Sequence, residues 1–513
     1  MADRVGRSLR LTNWWVWVLP AAFLGYLFLY PVFRMLGYSL EAGAFGALTR
    51  PRFLSSTWFT IWQALVSTAL TLLAALPLTW ALSRFNFAGK SLIRALVTIP
   101  FVLPTVVVGA AFLGLLPRGV GAILAAHVFF NIAVVVRTVG GVWSRIDRKL
   151  EDAARVLGAS PLRAAWSVTF PLLRPALFSA AAIVFLFCFA SFGTVLILGG
   201  GRLRTIEVEI YQQAVNFGDL PVAAALAVLQ LVFVVIALWV SSRWQRHTSI
   251  DFTAETALPK PQGQQGAVVA LIVSLSLGLL SLPIWALIRA SFGGWSFSAP
   301  GQSLDPLRAV GNSLLYSCIA TVIATVIGVL AARTIAASRS RTSTLFDTGL
   351  MLPLGTSAVT VGFGFLLALD WPVDLRGTSA LVPLAHALVA TPFVVRAALP
   401  LLRSIRPQLR EAAAVLGASP ARVWREIDFP IVARAVMVGA GLAAVVSLGE
   451  FGATSFVVRP SSVTVPTLIF RLLGRPGTAS YAQAMALAVV LAGMTAVIVL
   501  VIDRLRGEQA GTF

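Results

Sequence analysis

Charged side chains are scarce in this 513-residue chain. Asp, Glu, Lys and Arg together make up 12% of it, whereas hydrophobic residues make up 58%. Soluble globular proteins contain about 25% charged and about 45–50% apolar residues. The shortage of charge therefore excludes an ordinary soluble domain and indicates a chain embedded in lipid.

Cysteine and histidine are rarer still, with two and three copies. Cys188 and Cys318 lie inside apolar stretches, and their spacing does not suggest a disulfide or a metal site. His127 and His386 occupy equivalent places in two apolar stretches, which fits helix packing better than metal binding. A membrane-embedded enzyme would need clustered carboxylates, His or Cys near the membrane surface. The sequence shows no such cluster, so we predict no metal and no catalytic site.

Acidic residues are half as numerous as basic ones, at 20 against 40, which gives a net charge of +20. The basic residues lie between the apolar stretches and not in one patch. This distribution follows the positive-inside rule and does not indicate a nucleic-acid partner. Assigned to alternate sides, most Lys and Arg residues fall on the side of the N-terminus, which predicts both termini in the cytoplasm.

Long apolar stretches are abundant. A transmembrane helix needs about 20 apolar residues to cross about 30 Å of hydrocarbon. We therefore predict an all-α polytopic membrane protein with about 12 transmembrane helices. The spans are placed at 14–36, 57–83, 95–116, 120–139, 172–198, 219–241, 267–288, 309–334, 346–369, 379–398, 432–457 and 479–502.

The chain divides into two similar halves. Residues 242–266 are polar and predict a cytoplasmic linker between a first half, 1–241, and a second half, 267–513. Leu157–Pro161 recurs as Leu416–Pro420, a shift of 259 that also pairs the two histidines above. Six spans per half give both halves the same orientation, which predicts a parallel repeat with a pathway between the halves.

The loop between the fourth and fifth span of each half, at about 140–171 and about 399–430, is nearly the same in both copies. Each copy predicts a helix, a turn at Gly158 or Gly417 in the left-handed conformation, and a second helix. Ser160 and Ser419 precede proline and suit the start of that second helix. Two matched copies favour docking of a partner over a simple connection.

These loops resemble the EAA motif of the permeases of type I binding-protein-dependent ABC importers. The first copy departs from the motif by an Asp in place of Glu. The resemblance covers nearly the whole chain and implies that these residues couple the permease to an ATPase. They are Asp152, Ala153, Ala154 and Gly158 in the first copy and Glu411, Ala412, Ala413 and Gly417 in the second.

The same resemblance implies the partners. Two copies of a cytoplasmic ABC ATPase would carry ATP and Mg, so this chain would hold no cofactor of its own. An extracytoplasmic binding protein or lipoprotein would deliver substrate to this multi-pass protein of the bacterial plasma (inner) membrane. Ala88–Ser91 looks like the end of a phosphate-binding loop, but Arg84 occupies the position of the required glycine. A twelve-span secondary transporter is the alternative, and the paired loops count against it.

Four segments resemble the fused permeases of thiamine importers: Ala126–Asn131, Phe187–Thr194, Leu198–Gly201 and Thr205–Tyr211. Ferric-iron importer permeases share much of this pattern. We therefore expect thiamine or a thiamine phosphate as the substrate, with ferric iron as the alternative.

Glu450 is the candidate for substrate contact, because an ionisable residue at membrane depth is costly unless it has a function. A carboxylate would suit a cationic cargo, although a structural or gating role is equally open. Its repeat partner is Ser191, so any site would be asymmetric. Ser191, Glu450 and Asn131 are the residues that we place on a possible translocation path.

Overall fold

The computed structural model describes residues 14–41, 43–245, 258–295, 305–338 and 340–507. No strand occurs in these ranges, and the all-α class is confirmed. The helices of the first half are α1 (Trp14–Leu24), α2 (Tyr30–Ser39), α3 (Ala44–Ala47), α4 (Pro51–Arg84), α5 (Lys90–Val102), α6 (Thr105–Leu113), α7 (Val120–Trp143), α8 (Arg148–Val156), α9 (Pro161–Ala164), α10 (Phe170–Phe189), α11 (Gly193–Leu198), α12 (Ile206–Tyr211) and α13 (Leu220–Gln245).

The second half repeats this order from α14 onwards. Its helices are α14 (Gly263–Ser291), α15 (Pro306–Ala337), α16 (Arg341–Gly355), α17 (Ala358–Ala368), α18 (Leu381–Ser404), α19 (Pro407–Val415), α20 (Pro420–Val423), α21 (Phe429–Gly449), α22 (Thr454–Val457), α23 (Val465–Leu473) and α24 (Thr478–Gly507). Wider helical turns at Gly25–Leu29, Ala165–Thr169 and Trp424–Asp428 join neighbouring helices into continuous rods.

The number of spans agrees with the prediction. Ten helices in the described ranges are long and apolar enough to cross a membrane, and two bent helix pairs bring the total to twelve if each pair is one span. The bent pairs are α5–α6, with an angle of 95°, and α16–α17, with an angle of 101°. They replace the single helices expected at 95–116 and 346–369.

Local backbone chemistry explains both bends. Pro104 has no N–H to donate, and it disfavours helical geometry at Leu103, whose backbone is extended. In the second half Thr356 is extended, and the hydroxyl of Ser357 accepts a hydrogen bond from the Val359 N–H at 3.1 Å, which starts a new helix. Each third span therefore changes direction where its first helix ends.

The structure shows that the predicted linker is shorter than the polar stretch. Helix α13 continues to Gln245 and α14 already begins at Gly263, so both ends of the 242–266 stretch are helical. Residues 246–257 lie outside the described ranges. The Asn86 N–H donates to the Pro259 carbonyl at 2.9 Å, which connects the later part of the linker to the α4–α5 connection.

The described residues form two compact units. The first-half unit comprises Gly46–Glu209 and Leu226–Phe292; the second-half unit takes the chain up to Phe45, Ile210–Ala225 and the chain from Gly293 onwards. Each unit thus contains the leading span of the other sequence half. In the second-half unit, for example, the Thr334 hydroxyl donates to the Val16 carbonyl at 3.1 Å. The units cross the boundaries of the sequence repeat, which itself stays a prediction.

Small residues hold the centre of the second-half unit together. Helices α15, α18 and α21 meet through a buried cluster in which no side chain is larger than valine. Such residues let helix backbones approach closely where lipid supplies no hydrophobic driving force. The cluster consists of Ala320, Ala324, Ala387, Ala390, Val394 and Ala443.

Candidate functional site

Each half carries a helical hairpin where the sequence predicts one. Hairpin 1 is the segment 147–169, which contains α8 and α9, and hairpin 2 is the segment 406–428, which contains α19 and α20. Hairpin 1 leads directly into α10 and hairpin 2 into α21. A movement of either hairpin would therefore be transmitted along a membrane-spanning helix.

The turn of each hairpin depends on a glycine in the left-handed conformation, as predicted. Gly158 has a φ of +88° and Gly417 a φ of +80°. The N–H of Gly158 donates to the Arg155 carbonyl at 2.9 Å, and the N–H of Gly417 donates to the Ala414 carbonyl at 3.0 Å. These bonds close the first helix in the way typical of a glycine C-cap.

The second helix of each hairpin begins with the predicted serine cap. Ser160 Oγ accepts from the Arg163 N–H at 3.3 Å, and Ser419 Oγ accepts from the Arg422 N–H at 3.3 Å. A proline follows each serine at the first helical position, where its missing N–H costs nothing. The two turns thus have the same backbone hydrogen bonds.

Apolar side chains are exposed at the tip of each hairpin. Val156 and Leu157 are 87% and 88% exposed, and both Val415 and Leu416 are 87% exposed. The motif residues Asp152 and Glu411 are also exposed, on the helix that leads to the tip. Exposed apolar clusters with a polar surround are typical of protein-interaction sites. Both tips can therefore contact a partner without any rearrangement of the hairpin.

Glu151, next to Asp152, fastens hairpin 1 to its unit. Its carboxylate forms an ion pair with Arg84, which is 4% exposed at the end of α4, and accepts a hydrogen bond from the Thr169 hydroxyl. Arg84 also donates to the Ile146 carbonyl at 3.1 Å. This attachment was not predicted from the sequence, although an arginine at the end of a span was a signal for it.

The corresponding ion pair in the second half lies within hairpin 2 itself. Arg410 takes the place of Glu151 in the repeat, and Asp428 takes the place of Thr169. Arg410 Nε donates to Asp428 Oδ1 at 2.8 Å, and this pair is more exposed than the one in hairpin 1. The fold of the hairpin is thus repeated, while the ion pair joins hairpin 1 to α4 and joins two residues of hairpin 2 to each other.

The attachment of hairpin 1 makes stability depend on pH. Burial alone would raise the pKa of Glu151, but the hydrogen bonds from Thr169 and Arg84 outweigh it and lower the pKa below its ordinary 4.5. A lowered pKa contributes stability above pH 4.5 that is lost as the pH falls through the folded-state pKa. We expect Glu151→Gln to melt below wild type at pH 7, and the difference to shrink below pH 4.5. A difference that stays constant across this range would contradict the assignment.

Buried polar networks lie in the interior of both units. In the first-half unit His127 Nδ1 lies 3.0 Å from Ser67 Oγ, and Nε2 lies 2.8 Å from Ser191 Oγ. Asn131 Nδ2 donates to the His127 carbonyl at 2.9 Å. Ser191 and Asn131 are both buried. These contacts are those of a helix-packing histidine, which is the role the sequence favoured.

His386 has the equivalent place in the second-half unit. Its Nδ1 lies 2.8 Å from Ser447 Oγ, and its Nε2 lies 2.7 Å from Thr454 Oγ1 and 3.3 Å from a Glu450 carboxylate oxygen. The Glu450 carboxylate also accepts from the N–H groups of Ala453 and Thr454 at 2.8 and 2.9 Å. Glu450 therefore caps the start of α22, a role that serine at the equivalent position does not take.

Glu450, Ser191 and Asn131 are 7%, 6% and 1% exposed, so each side chain is buried within the unit to which it belongs. Their place on a translocation path stays a prediction. The described ranges contain no group of three His, Cys, Asp or Glu side chains that could hold a metal ion.

The cap formed by Glu450 predicts a loss of stability on substitution. Glutamine keeps one acceptor oxygen but replaces the other with an N–H₂ group, which leaves one backbone donor unsatisfied at a cost of about 2 kcal/mol. We expect Glu450→Gln to lower the melting temperature of the ligand-free protein by about 2 °C. Glu41→Gln, at an exposed carboxylate, is the control. An unchanged melting temperature together with weaker substrate affinity would contradict a capping role.

Two further buried carboxylates, Glu207 and Glu209, were not identified as candidate site residues from the sequence. Glu209 accepts from Arg52 Nη2 at 2.8 Å, and Glu207 accepts from Gln230 Nε2 at 2.7 Å. Both carboxylates lie in α12, a short helix between the fifth and sixth spans. Their equivalents in the second half are Pro466 and Leu468, so this feature belongs to one unit only.

The described residues contain up to twelve spans in two similar halves, with a matched exposed hairpin in each. This architecture is that of a membrane transport permease whose two halves are fused in one chain. The sequence matches the family model described as "Binding-protein-dependent transport system inner membrane component" twice, at residues 72–249 and 324–507. The chain belongs to this family. It is therefore a permease subunit of an ABC importer and a multi-pass inner-membrane protein, as the paired loops predicted.

The curated relatives that the chain resembles are also transport system permease proteins. The chain is 28% identical to the thiamine transport system permease protein ThiP of Brucella abortus (strain 2308) over 93% of each chain. It is 26% identical to ThiP of Escherichia coli (strain K12) over 81% of this chain and 83% of the relative. A probable sulfate transport system permease protein of Chlorokybus atmophyticus is 31% identical, over 40% of this chain and 80% of the relative.

Proposed function

We propose that this chain is the permease of an ATP-driven importer for thiamine or a thiamine phosphate. The observation that carries the class is the pair of hairpins with the same turn, the same cap and the same exposed tip. The likeness to thiamine permeases along 93% of the chain supports the substrate. The segment Thr205–Tyr211, which contains α12, is part of that likeness.

The hairpins are the proposed coupling elements. Two copies of a cytoplasmic ATPase would each receive one tip, with Gly158 and Gly417 fixing the turn and Asp152 and Glu411 on the adjoining helix. ATP and Mg would bind those ATPase chains and not the permease. When the ATPases close, the tips approach each other, and α10 and α21 transmit the movement into the two permease halves. The halves, 1–241 and 267–513, would then alternate between inward-facing and outward-facing states.

The proposed orientation places both hairpins and both termini in the cytoplasm. The excess of Lys and Arg on that side supports this assignment. An extracytoplasmic binding protein or lipoprotein would deliver substrate on the opposite side. The permease itself forms and breaks no bond, and its part in the cycle is to open and close the path.

Uptake by cells that lack their own thiamine transport tests the proposal. The chain is expressed with its ATPase and binding protein, and labelled thiamine, thiamine monophosphate, ferric iron and sulfate are offered separately. We expect accumulation of thiamine or its phosphate that requires the ATPase. Accumulation of iron or sulfate alone would overturn the substrate. Thiamine uptake that persists without the ATPase and stops with a proton ionophore would indicate a secondary transporter instead.

A further inference from the structure

An arginine outside hairpin 2 contacts it from a neighbouring span. The guanidinium carbon of Arg333 lies 4.7 Å from the centroid of the Trp424 ring. Arg333 belongs to α15, four residues before that helix ends at Ala337, and Trp424 follows α20 within hairpin 2. A cation over the face of an aromatic ring is attracted by the quadrupole of the ring, most strongly when the pair is shielded from water. Both side chains are half-buried, so the contact is partly shielded.

The ion pair within hairpin 2 does not provide this connection. Arg410 and Asp428 belong to the same hairpin, so their bond closes the hairpin without attaching it to another span. Arg410 Nη2 also donates to the Leu402 carbonyl at 3.5 Å, but Leu402 lies in α18, which runs directly into the hairpin. At Arg333 the two charges oppose each other, since Asp428 attracts the guanidinium and Arg410 repels it. The ring of Trp424 is therefore the contact through which Arg333 joins α15 to hairpin 2.

Trp424 also connects this contact to the span that follows the hairpin. Its ring centroid lies 6.1 Å from that of Phe429, the first residue of α21. The wider turn Trp424–Asp428 joins α20 to α21 in one continuous rod. Arg333 thus links α15 to the rod that leaves the hairpin. A movement of hairpin 2 would reach two spans of the second-half unit and not α21 alone.

The first-half unit attaches its hairpin by different chemistry. The repeat pairs Arg333 with Trp80, and it pairs Trp424 with an alanine, so the same contact cannot form there. Hairpin 1 is attached instead by the ion pair of Arg84 with Glu151. In each unit an arginine near the end of the second span of that half contacts the hairpin. The attachment is kept although the residues that make it are not, which indicates that both hairpins need it.

We propose that Arg333 is a positioning residue for coupling: through Trp424 it holds hairpin 2 against α15, so that the ATPase moves the two together. This role rests on the proposed function of the hairpins as coupling elements. Without the contact, hairpin 2 would move independently of α15 for part of the time. ATP would then be hydrolysed without a complete movement of the second permease half, and fewer substrate molecules would be carried per ATP.

Hydrogen–deuterium exchange of the purified full-length chain tests the attachment. In Arg333→Met we expect the amides of hairpin 2 to exchange about fivefold faster, which is the change in population that a partly shielded cation–π contact supports. The amides of hairpin 1 are expected to exchange at the wild-type rate. Arg341→Met, at an exposed arginine shortly after α15, is the control and is expected to change neither hairpin.

Three further variants identify the contact as the cause. Trp424→Leu is expected to accelerate exchange of hairpin 2 as much as Arg333→Met does. The double variant Arg333→Met/Trp424→Leu is expected to accelerate it no further than either single variant, because both remove the same interaction. Arg333→Lys keeps a cation over the ring, so it is expected to restore most of the protection.

Transport by reconstituted vesicles tests the consequence for coupling. The chain is assembled with its ATPase and binding protein, and uptake of labelled thiamine is measured together with ATP hydrolysis. We expect the number of thiamine molecules carried per ATP to fall about fivefold in Arg333→Met and to recover in Arg333→Lys. A variant that is only less stable would lose uptake and hydrolysis in proportion, and the ratio between them would stay the same.

The two measurements distinguish this role from the proposed function. A wild-type complex that carries no thiamine would contradict the proposed function, while the exchange of hairpin 2 would still decide the attachment. Wild-type exchange of hairpin 2 in both Arg333→Met and Trp424→Leu would overturn the positioning role. An unchanged ratio of thiamine carried to ATP hydrolysed in Arg333→Met would also overturn it.

Discussion

Replacement of Gly158 and Gly417 together by valine is expected to reduce substrate uptake about 100-fold while the protein still reaches the membrane. Both glycines have positive φ, and a Cβ at either position would meet no atom within 4 Å. The penalty therefore arises from the backbone alone. A branched residue in the left-handed conformation costs about 2 kcal/mol, so each turn would be populated more than tenfold less often.

Two effects make this prediction specific. Because both hairpins must be in place at once, each single variant is expected to reduce substrate uptake about tenfold. The double variant is expected to reduce uptake by the product of the two factors. Asparagine tolerates the left-handed conformation, so Gly158→Asn/Gly417→Asn is expected to retain most of the uptake. Gly278→Val serves as the control, since this helical glycine also has open space but lacks positive φ. Normal uptake and normal ATPase stimulation in the valine double variant would contradict the coupling role.

Replacement of Arg84 by methionine is expected to destabilise the protein by about 3 kcal/mol. This substitution leaves the Glu151 carboxylate partly buried without its cation, which is far more costly than the loss of a surface ion pair. It also removes the donor to the Ile146 carbonyl at 3.1 Å. We expect a melting temperature lower by about 3 °C and a matching loss of uptake.

A double-mutant cycle identifies the cause. Arg84→Met/Glu151→Leu removes both charges, so it is expected to be more stable than Arg84→Met alone. Arg410→Met removes the arginine of the ion pair within hairpin 2, where that side chain is 34% exposed, and it is expected to cost about 1 kcal/mol. Equal losses in the two hairpins, or a double variant less stable than Arg84→Met, would contradict the buried attachment.

Much of the fold was predictable because its signals are local. The length of the apolar stretches indicates all twelve spans, and the Gly and Ser-Pro pattern predicts both hairpin turns. The breaks within the third spans were harder to predict, since Pro100 lies inside α5 whereas the bend occurs at Pro104. The packing of each leading span with the other half was not predictable, because apolar length does not specify a helix partner.

The contacts of the acidic side chains in the two units were harder to predict than the spans and the hairpin turns. Asp152 and Glu151 are adjacent acids, and only the rotation of α8 decides that Glu151 faces Arg84 while Asp152 stays exposed. Glu450 was identified as a costly buried charge, but the sequence does not show that α22 starts a few residues later and offers it two N–H groups. Contacts of this kind depend on how a helix is rotated or where it begins, and the residue pattern specifies neither.

Cross-linking of the two hairpin tips to the ATPase tests the coupling role of the hairpins most directly. Cys318 is first replaced by serine, and cysteine is then introduced at Leu157 or Leu416 in the assembled transporter. Leu40 is 77% exposed and follows the first span. The proposed orientation puts it on the side of the membrane opposite to the hairpins, so it provides the control position. We expect both tips to capture the ATPase and Leu40 not to capture it. Failure of both tips in a complex that still transports substrate would contradict the coupling role.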